Sequence, residues 1–177
     1  MSSLNIGCGS EMTGDIRLDK VLTKGVNIIG DAENLPFRPD TFNEIYERNL
    51  LEHLSNPKKH LDEVQFVMKK DGRLTLITDH NKCLRYYFTG SHSRWHKHAE
   101  SNAACLKYFV QGFFKREHGR HSLFSEKDIR NLMEEAHLKV KKLELVDTTF
   151  FTRYFDRLLR LIGLNQYPRI RVEAEKP

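Results

Sequence analysis

Leu4-Asn5-Ile6-Gly7-Cys8-Gly9-Ser10 decides the fold. Leu4 and Ile6 suit the interior of a short buried strand, and the chain then runs straight into a turn with two glycines. Gly7 and Gly9 permit backbone angles and close approaches that a Cβ would block. In an open α/β sheet, ligands sit at the carboxyl ends of the strands, which is where this turn would lie. An ordinary strand-to-loop turn has the same residues, so the glycines alone do not separate the two readings.

The stretches that follow do. Ile16-Arg17-Leu18-Asp19 reads as a second short strand ending in an acid. Val26 to Ala32 reads as a third, followed by Glu33-Asn34-Leu35-Pro36-Phe37. Phe42 to Arg48 alternates apolar and polar as a partly exposed fourth strand, followed by Asn49-Leu50-Leu51-Glu52-His53-Leu54. With these segments in order, the chain resembles the class I S-adenosylmethionine-dependent methyltransferases. Within them it is similar to the small type 11-like methyltransferases, with their N-I-G-C-G-type first motif, D-A-E-N-L-P-F segment and L-E-H-L segment. The likeness runs through Asp79 and returns from about His121 to Val146.

The resemblance implies a Rossmann-like α/β fold: an open twisted seven-stranded sheet in the order 3-2-1-4-5-7-6, mostly parallel, with an antiparallel last strand. It implies S-adenosyl-L-methionine as cofactor. Asn5, Gly7, Cys8 and Gly9 would bind its amino-acid end. Asp19 would take both ribose hydroxyls, since a carboxylate offers two acceptor oxygens; Asp15 is the fallback if the register is shifted. Asp31 would accept the adenine amine, and the Ala32 backbone amide would meet a ring nitrogen. Leu35, Pro36 and Phe37 would shape the pocket. Asn49 and Leu50 would face the methionine part and the incoming substrate. Among the candidate catalytic residues, His53 is the side chain most suited to proton transfer near neutral pH; otherwise it caps the turn before the next helix. Asp79 and His80 complete the substrate side. The family transfers the sulfonium methyl by direct displacement, so the protein supplies alignment and exclusion of water. A base is needed only where the acceptor must lose a proton.

At 177 residues the chain is read as a single domain, residues 1–177, long enough to bury a core. No stretch approaches the apolar length of a membrane span, and the N-terminus lacks the pattern of a signal peptide. Three widely spaced cysteines, Cys8, Cys83 and Cys105, argue against a disulfide framework and for a reducing, cytoplasmic setting. The net charge of +5 favours acidic partners without identifying one.

Only about nine residues separate Ile6 from Ile16, too few for the helix of an ordinary parallel crossover. The first crossover is therefore a loop, and one sheet face near the first two strands should be thinly covered. Asn56-Pro57 opens a helix with Leu61, Val64, Val67 and Met68 facing the sheet, Lys69 and Lys70 in its last turn and Gly72 as the stop. Arg73 to Asp79 is the fifth strand. Ser125-Glu126-Lys127-Asp128 caps a further helix with Ile129, Leu132, Met133 and Ala136 as its stripe. Val140 to Val146 and Arg169 to Ala174 alternate as the last strands.

Residues at about 80–122 read as a lid or substrate insertion rich in aromatic and basic side chains. His80, Cys83, His92, His96, His98 and Cys105 match no regular zinc spacing, so no metal is expected. Nucleic-acid binding through the aromatic and basic residues is open but not favoured. His121 would project towards substrate or serve the structure. The amphipathic stretch Phe150 to Ile162 would cover the bare sheet face, form a homodimer contact or lie on a membrane surface. The function expected is methyl transfer to an unidentified acceptor, a small molecule being favoured because no recognition domain is appended. The alternative is a catalytically inactive scaffold, RNA-associated in one form. A nicotinamide enzyme is disfavoured because the third glycine and a following helix are missing.

Overall fold

The computed structural model describes residues 2–80, 117–118, 121–122, 124–146 and 169–177. Four short stretches near the start of the chain become parallel strands: β1 (Ser3–Ile6), β2 (Ile16–Asp19), β3 (Ile28–Ile29) and β4 (Phe42–Arg48). A single 3₁₀ turn, Leu51–His53, leads to helix α1 (Pro57–Val67). Then come β5 (Met68–Asp79), a small antiparallel ladder of β6 (Glu117–His118) with β7 (His121–Ser122), helix α2 (Glu126–Glu135), β8 (Lys139–Val146) and β9 (Arg169–Glu175). The main sheet has seven strands in the order β3-β2-β1-β4-β5-β9-β8. Counted within that sheet this is 3-2-1-4-5-7-6, as the resemblance implies. β9 is antiparallel to both of its neighbours.

The register brings apolar residues of neighbouring strands side by side. Leu4 pairs with Ile16 and with Ile45, and Ile6 pairs with Leu18. Leu4, Ile6, Leu18, Ile45, Leu74, Leu76, Ile170 and Val172 are all fully buried. From α1 come Leu61, Val64 and Val67, and from α2 Ile129 and Met133. Removing such side chains from water, at roughly 25 cal/mol per Å² of apolar surface, is the main force holding sheet and helices together.

α1 begins as its residues dictate. Asn56 accepts the Lys59 amide at 3.0 Å, and Pro57 occupies the first turn, where its missing N–H costs nothing. Its end corrects the sequence reading. The helix stops at Val67, and Met68 is already extended, at φ −78° and ψ 136°. Lys69, Lys70 and Gly72 thus belong to β5, not to a helix end. They form a bulge: the six residues from Met68 to Arg73 lie opposite the three from Phe42 to Glu44. Asp71 takes φ +60°, and Lys176 ties the bulge down by donating to the Met68 carbonyl at 2.8 Å. The third strand is also shorter than expected, because only Ile28 and Ile29 pair with β2.

The short first crossover is a loop, as the spacing requires. Gly14 within it takes φ +92°, and Asp15 accepts the Ser3 amide and hydroxyl at 3.0 and 2.9 Å. Met12, Val21, Leu22 and Ile29 are each more than 60% exposed, whereas Leu4, Asn5 and Ile6 of β1 and Leu18 of β2 are buried. The stretch Phe150 to Ile162, and most of the 80–122 insertion, lie outside the described residues.

Candidate functional site

Because β1 to β5 are parallel, their carboxyl ends share one edge of the sheet. Gly7–Gly9, Asp19, Asp31–Ala32, Asn49–Leu50, His53 and Asp79–His80 follow those ends and so line one edge. Asp15 precedes β2 and bonds Ser3 at the start of β1, so it lies at the opposite edge and is no substitute for Asp19.

Gly7 and Gly9 take φ +67° and +52°, the left-handed region that favours glycine. A Cβ on Gly7 would lie 3.0 Å from Leu50, whereas nothing lies within 4 Å of one placed on Gly9. The turn is thus closed on the Leu50 side and open above Gly9, leaving room for a ligand. Gly7 and Cys8 both direct their amides to the Leu18 carbonyl, at 2.8 and 3.3 Å. Asn5 is buried beneath the turn, donating its side-chain amide to the Thr13 carbonyl at 3.2 Å. Burial, then the Asp19 charge, push the Cys8 thiol up, so it stays protonated.

Asp19 accepts the Gly9 amide at 2.9 Å through Oδ2 and the Val21 amide at 3.0 Å through Oδ1. A carboxylate has about four acceptor sites, so each oxygen keeps one for a further donor. Asp31 is exposed, and its Oδ1 accepts the Glu33 amide at 3.0 Å. Asn49 takes φ +53° at the end of β4, and its buried Oδ1 has no hydrogen-bond partner among the described residues. Such an orphaned acceptor suits a ligand donor, for example the ammonium of the cofactor's amino-acid end. The residues present therefore fit S-adenosylmethionine.

On the acceptor side the three catalytic candidates differ. His53 is exposed at the end of the 3₁₀ turn. Asp79 is buried and ion-paired with Arg169 at 3.5 Å, and His80 is buried, 3.2 Å from Glu126 at the start of α2. The structure thus brings these residues to one edge but leaves only His53 largely accessible. Among the described residues, no three His, Cys, Asp or Glu side chains are grouped as metal ligands. Cys83, His92, His96, His98 and Cys105 lie outside those residues.

Two buried groups escaped the sequence reading. Glu52 sits beneath the edge, where its Oε2 accepts the Thr78 hydroxyl at 2.7 Å. Loss of hydration, and then the Asp79 charge, push its carboxyl up to about 8, so it is neutral at pH 7. Glu47 and His60 form the other group, with Glu47 Oε2 2.5 Å from His60 Nε2 and His60 Nδ1 2.9 Å from the Ala32 carbonyl. Burial alone would lower the His60 pKa. The charge and hydrogen bond of Glu47, with the Ala32 carbonyl, outweigh it and hold the pKa above its usual value. The signal was present in the chain. Glu47 follows Ile45 on the inward alternation of β4, and His60 falls on the α1 stripe with Val64 and Val67.

Comparison with known proteins agrees with this fold. The methyltransferase-domain family model matches residues 3–143. The rice (Oryza sativa subsp. japonica) chloroplastic 2-methyl-6-phytyl-1,4-hydroquinone methyltransferase 1 is 41% identical over 59 residues, 33% of this chain and 18% of that one. The chain thus matches less than a fifth of that relative's length. An S-adenosylmethionine-dependent methyltransferase from Mesorhizobium loti superposes with a TM-score of 0.64 at 12% identity, covering 98% of this chain and 90% of its own. One from Methanosarcina mazei gives 0.61 at 14% identity, covering 98% and 91%. At such identities the two structures establish the fold alone. Together with the match of the family model over most of the chain, the glycine turn and the strand order, they show that this chain belongs to the class I S-adenosylmethionine-dependent methyltransferases.

Proposed function

We propose that the chain transfers the methyl group of S-adenosylmethionine to a small acceptor admitted at the carboxyl ends of β4 and β5. The observation that carries this reading is the Asp19 carboxylate, fixed by the Gly9 and Val21 amides with one acceptor position left on each oxygen. That is what two neighbouring ribose hydroxyls need. Asp31 and the Ala32 amide would take adenine. Gly7, Cys8 and Gly9 would pass under the amino-acid end, above Asn5, with Asn49 and Leu50 beside it. When bound, the cofactor supplies a sulfonium methyl reactive enough for direct displacement.

The chain's own part is to align the acceptor and keep water out. His53 is the residue placed to take a proton from an acceptor hydroxyl or amine. Asp79 and His80, through Arg169 and Glu126, would hold the rim rather than meet the substrate. The rice relative's name specifies a hydroquinone substrate, so phenolic small molecules are the first acceptors to screen.

Calorimetric titration of wild type and Asp19→Ala with S-adenosylmethionine and S-adenosylhomocysteine tests the reading. Two charge-assisted hydrogen bonds are worth roughly 1.5–3 kcal/mol each, so the variant should bind at least about 100-fold more weakly. Equal binding by the two proteins would remove Asp19 from the site. Binding of neither ligand by wild type would favour the scaffold alternative.

A further inference from the structure

We propose that His60 is a positioning residue for adenine recognition, holding the Ala32–Glu33 peptide so that Asp31 presents its carboxylate to the adenine amine. The inference rests on the assignment of adenine to Asp31 made above.

Four hydrogen-bonding groups stand in a row. Glu47 Oε2 lies 2.5 Å from His60 Nε2, and His60 Nδ1 lies 2.9 Å from the Ala32 carbonyl. The same peptide's N–H, which belongs to Glu33, donates to Asp31 Oδ1 at 3.0 Å. The Ala32–Glu33 peptide is therefore gripped at its oxygen by His60 and spends its hydrogen on Asp31. One oxygen of Asp31 is engaged, which leaves the other for a ligand. Both bonds of the imidazole face acceptor oxygens, so two protons must lie along the Glu47–His60–Ala32 path. Nδ1 carries one, which makes His60 the donor to the carbonyl.

The neighbouring residues are strapped to the same helix. Glu33 accepts the Ser55 and Asn56 amides at 2.7 and 2.9 Å, just ahead of α1. Lys59 reaches Asn34 at 2.6 Å, and the Leu35 amide donates to Glu63 at 2.9 Å. Four consecutive residues, Ala32 to Leu35, are thus referenced to α1 or its cap. Exposed links such as Lys59–Asn34 contribute little. The His60 link is fully buried at both side chains, and it alone also reaches the central strand β4. A buried ion pair adds little net stability over an apolar pair of similar volume. Its place here is better explained by the geometry that it imposes on the Asp31 turn.

The test compares S-adenosylhomocysteine with S-inosylhomocysteine, in which a carbonyl replaces the adenine amine. An Asn side chain puts its amide nitrogen near the place of His Nδ1, and a Gln side chain puts its own near Nε2. His60→Asn therefore keeps the donor to Ala32, and His60→Gln keeps only the link to Glu47. Wild type should prefer the adenine ligand by at least about tenfold, as expected for a donor replaced by an acceptor opposite a carboxylate. His60→Asn should retain that preference, and His60→Gln should lose most of it. Unaltered selectivity in His60→Gln would overturn the inference.

Asp31→Asn separates the two failures. If it loses selectivity while His60→Gln keeps it, only His60 is misassigned; if Asp31→Asn also keeps it, the adenine assignment falls and this inference with it. Should His60→Gln not fold, ¹⁵N-histidine spectra of wild type serve instead. The His60 ring nitrogens should shift with the adenine ligand and not with its inosine analogue, and equal shifts would refute the role.

Discussion

Glu47 and Glu52 are two carboxylates buried to the same extent, five positions apart, at either end of one sheet-edge segment. Their surroundings give them opposite characters. Glu47 faces an imidazole, and its charge raises the His60 pKa against the effect of burial. Glu52 faces a hydroxyl and, beyond it, the like charge of Asp79, so it retains its proton to about pH 8. A buried acid is charged or neutral according to the partner it meets, and the depth of burial only sets the stakes. On the site assignment proposed above, the paired acid would lie on the cofactor side and the protonated one on the acceptor side.

The largest effect should come from breaking the pair on one side only. Glu47→Leu leaves His60 buried with one nitrogen facing an apolar side chain, which should cost about 3–5 kcal/mol in urea unfolding. The double change Glu47→Leu with His60→Leu should cost much less. Equal losses would mean that Glu47 matters through packing and not through His60.

Glu52 should show itself through pH. The folded carboxyl holds its proton to about 8, whereas the unfolded one releases it near 4.5. Between those values the folded state binds more protons. Its stability therefore falls as pH rises, by up to about 1.4 kcal/mol per pH unit for one proton. Glu52→Gln removes that slope and should be more stable than wild type at pH 8. The Glu47–His60 pair has the same sign by a different route. The raised His60 pKa stabilises the fold below the unfolded value and is lost as pH rises through the folded one. Unfolding curves of Glu52→Gln from pH 5 to 8 would isolate what remains of this second slope. A slope unchanged from wild type would show that Glu52 is ionised throughout.

The smallest effects lie outside both networks. Gly9→Ala meets no neighbour but must hold φ +52°, so about 1 kcal/mol should be lost. Gly7→Ala carries the same backbone cost and also meets Leu50 at 3.0 Å, so it should lose more. Thermal unfolding of the two variants compares them directly, and equal losses would show that Leu50 yields freely.

Much of the fold was legible because its signals are local. The alternation in Phe42–Arg48, the Asn56-Pro57 start and the Ser125–Asp128 box act within a few residues, and all three elements begin where those residues place them. The end of α1 was not legible. Lys69, Lys70 and Gly72 have the composition of a helix terminus. Pairing of Met68 with Phe42, and the clasp from Lys176 more than 100 residues away, draw them into β5 instead.

The residues themselves determined the glycine turn, the loop that replaces the first crossover helix, and the acids that end β2 and follow β3, because glycine geometry, chain length and strand periodicity are short-range properties. Only the tertiary structure decided which charged groups are buried and with whom. Glu47 and His60 are 13 positions apart, His60 and Ala32 are 28, and Glu52 and Thr78 are 26. Their protonation follows from distances that arise when strands β4 and β5 and helix α1 pack together, and nothing within a few residues of any one of them specifies those distances.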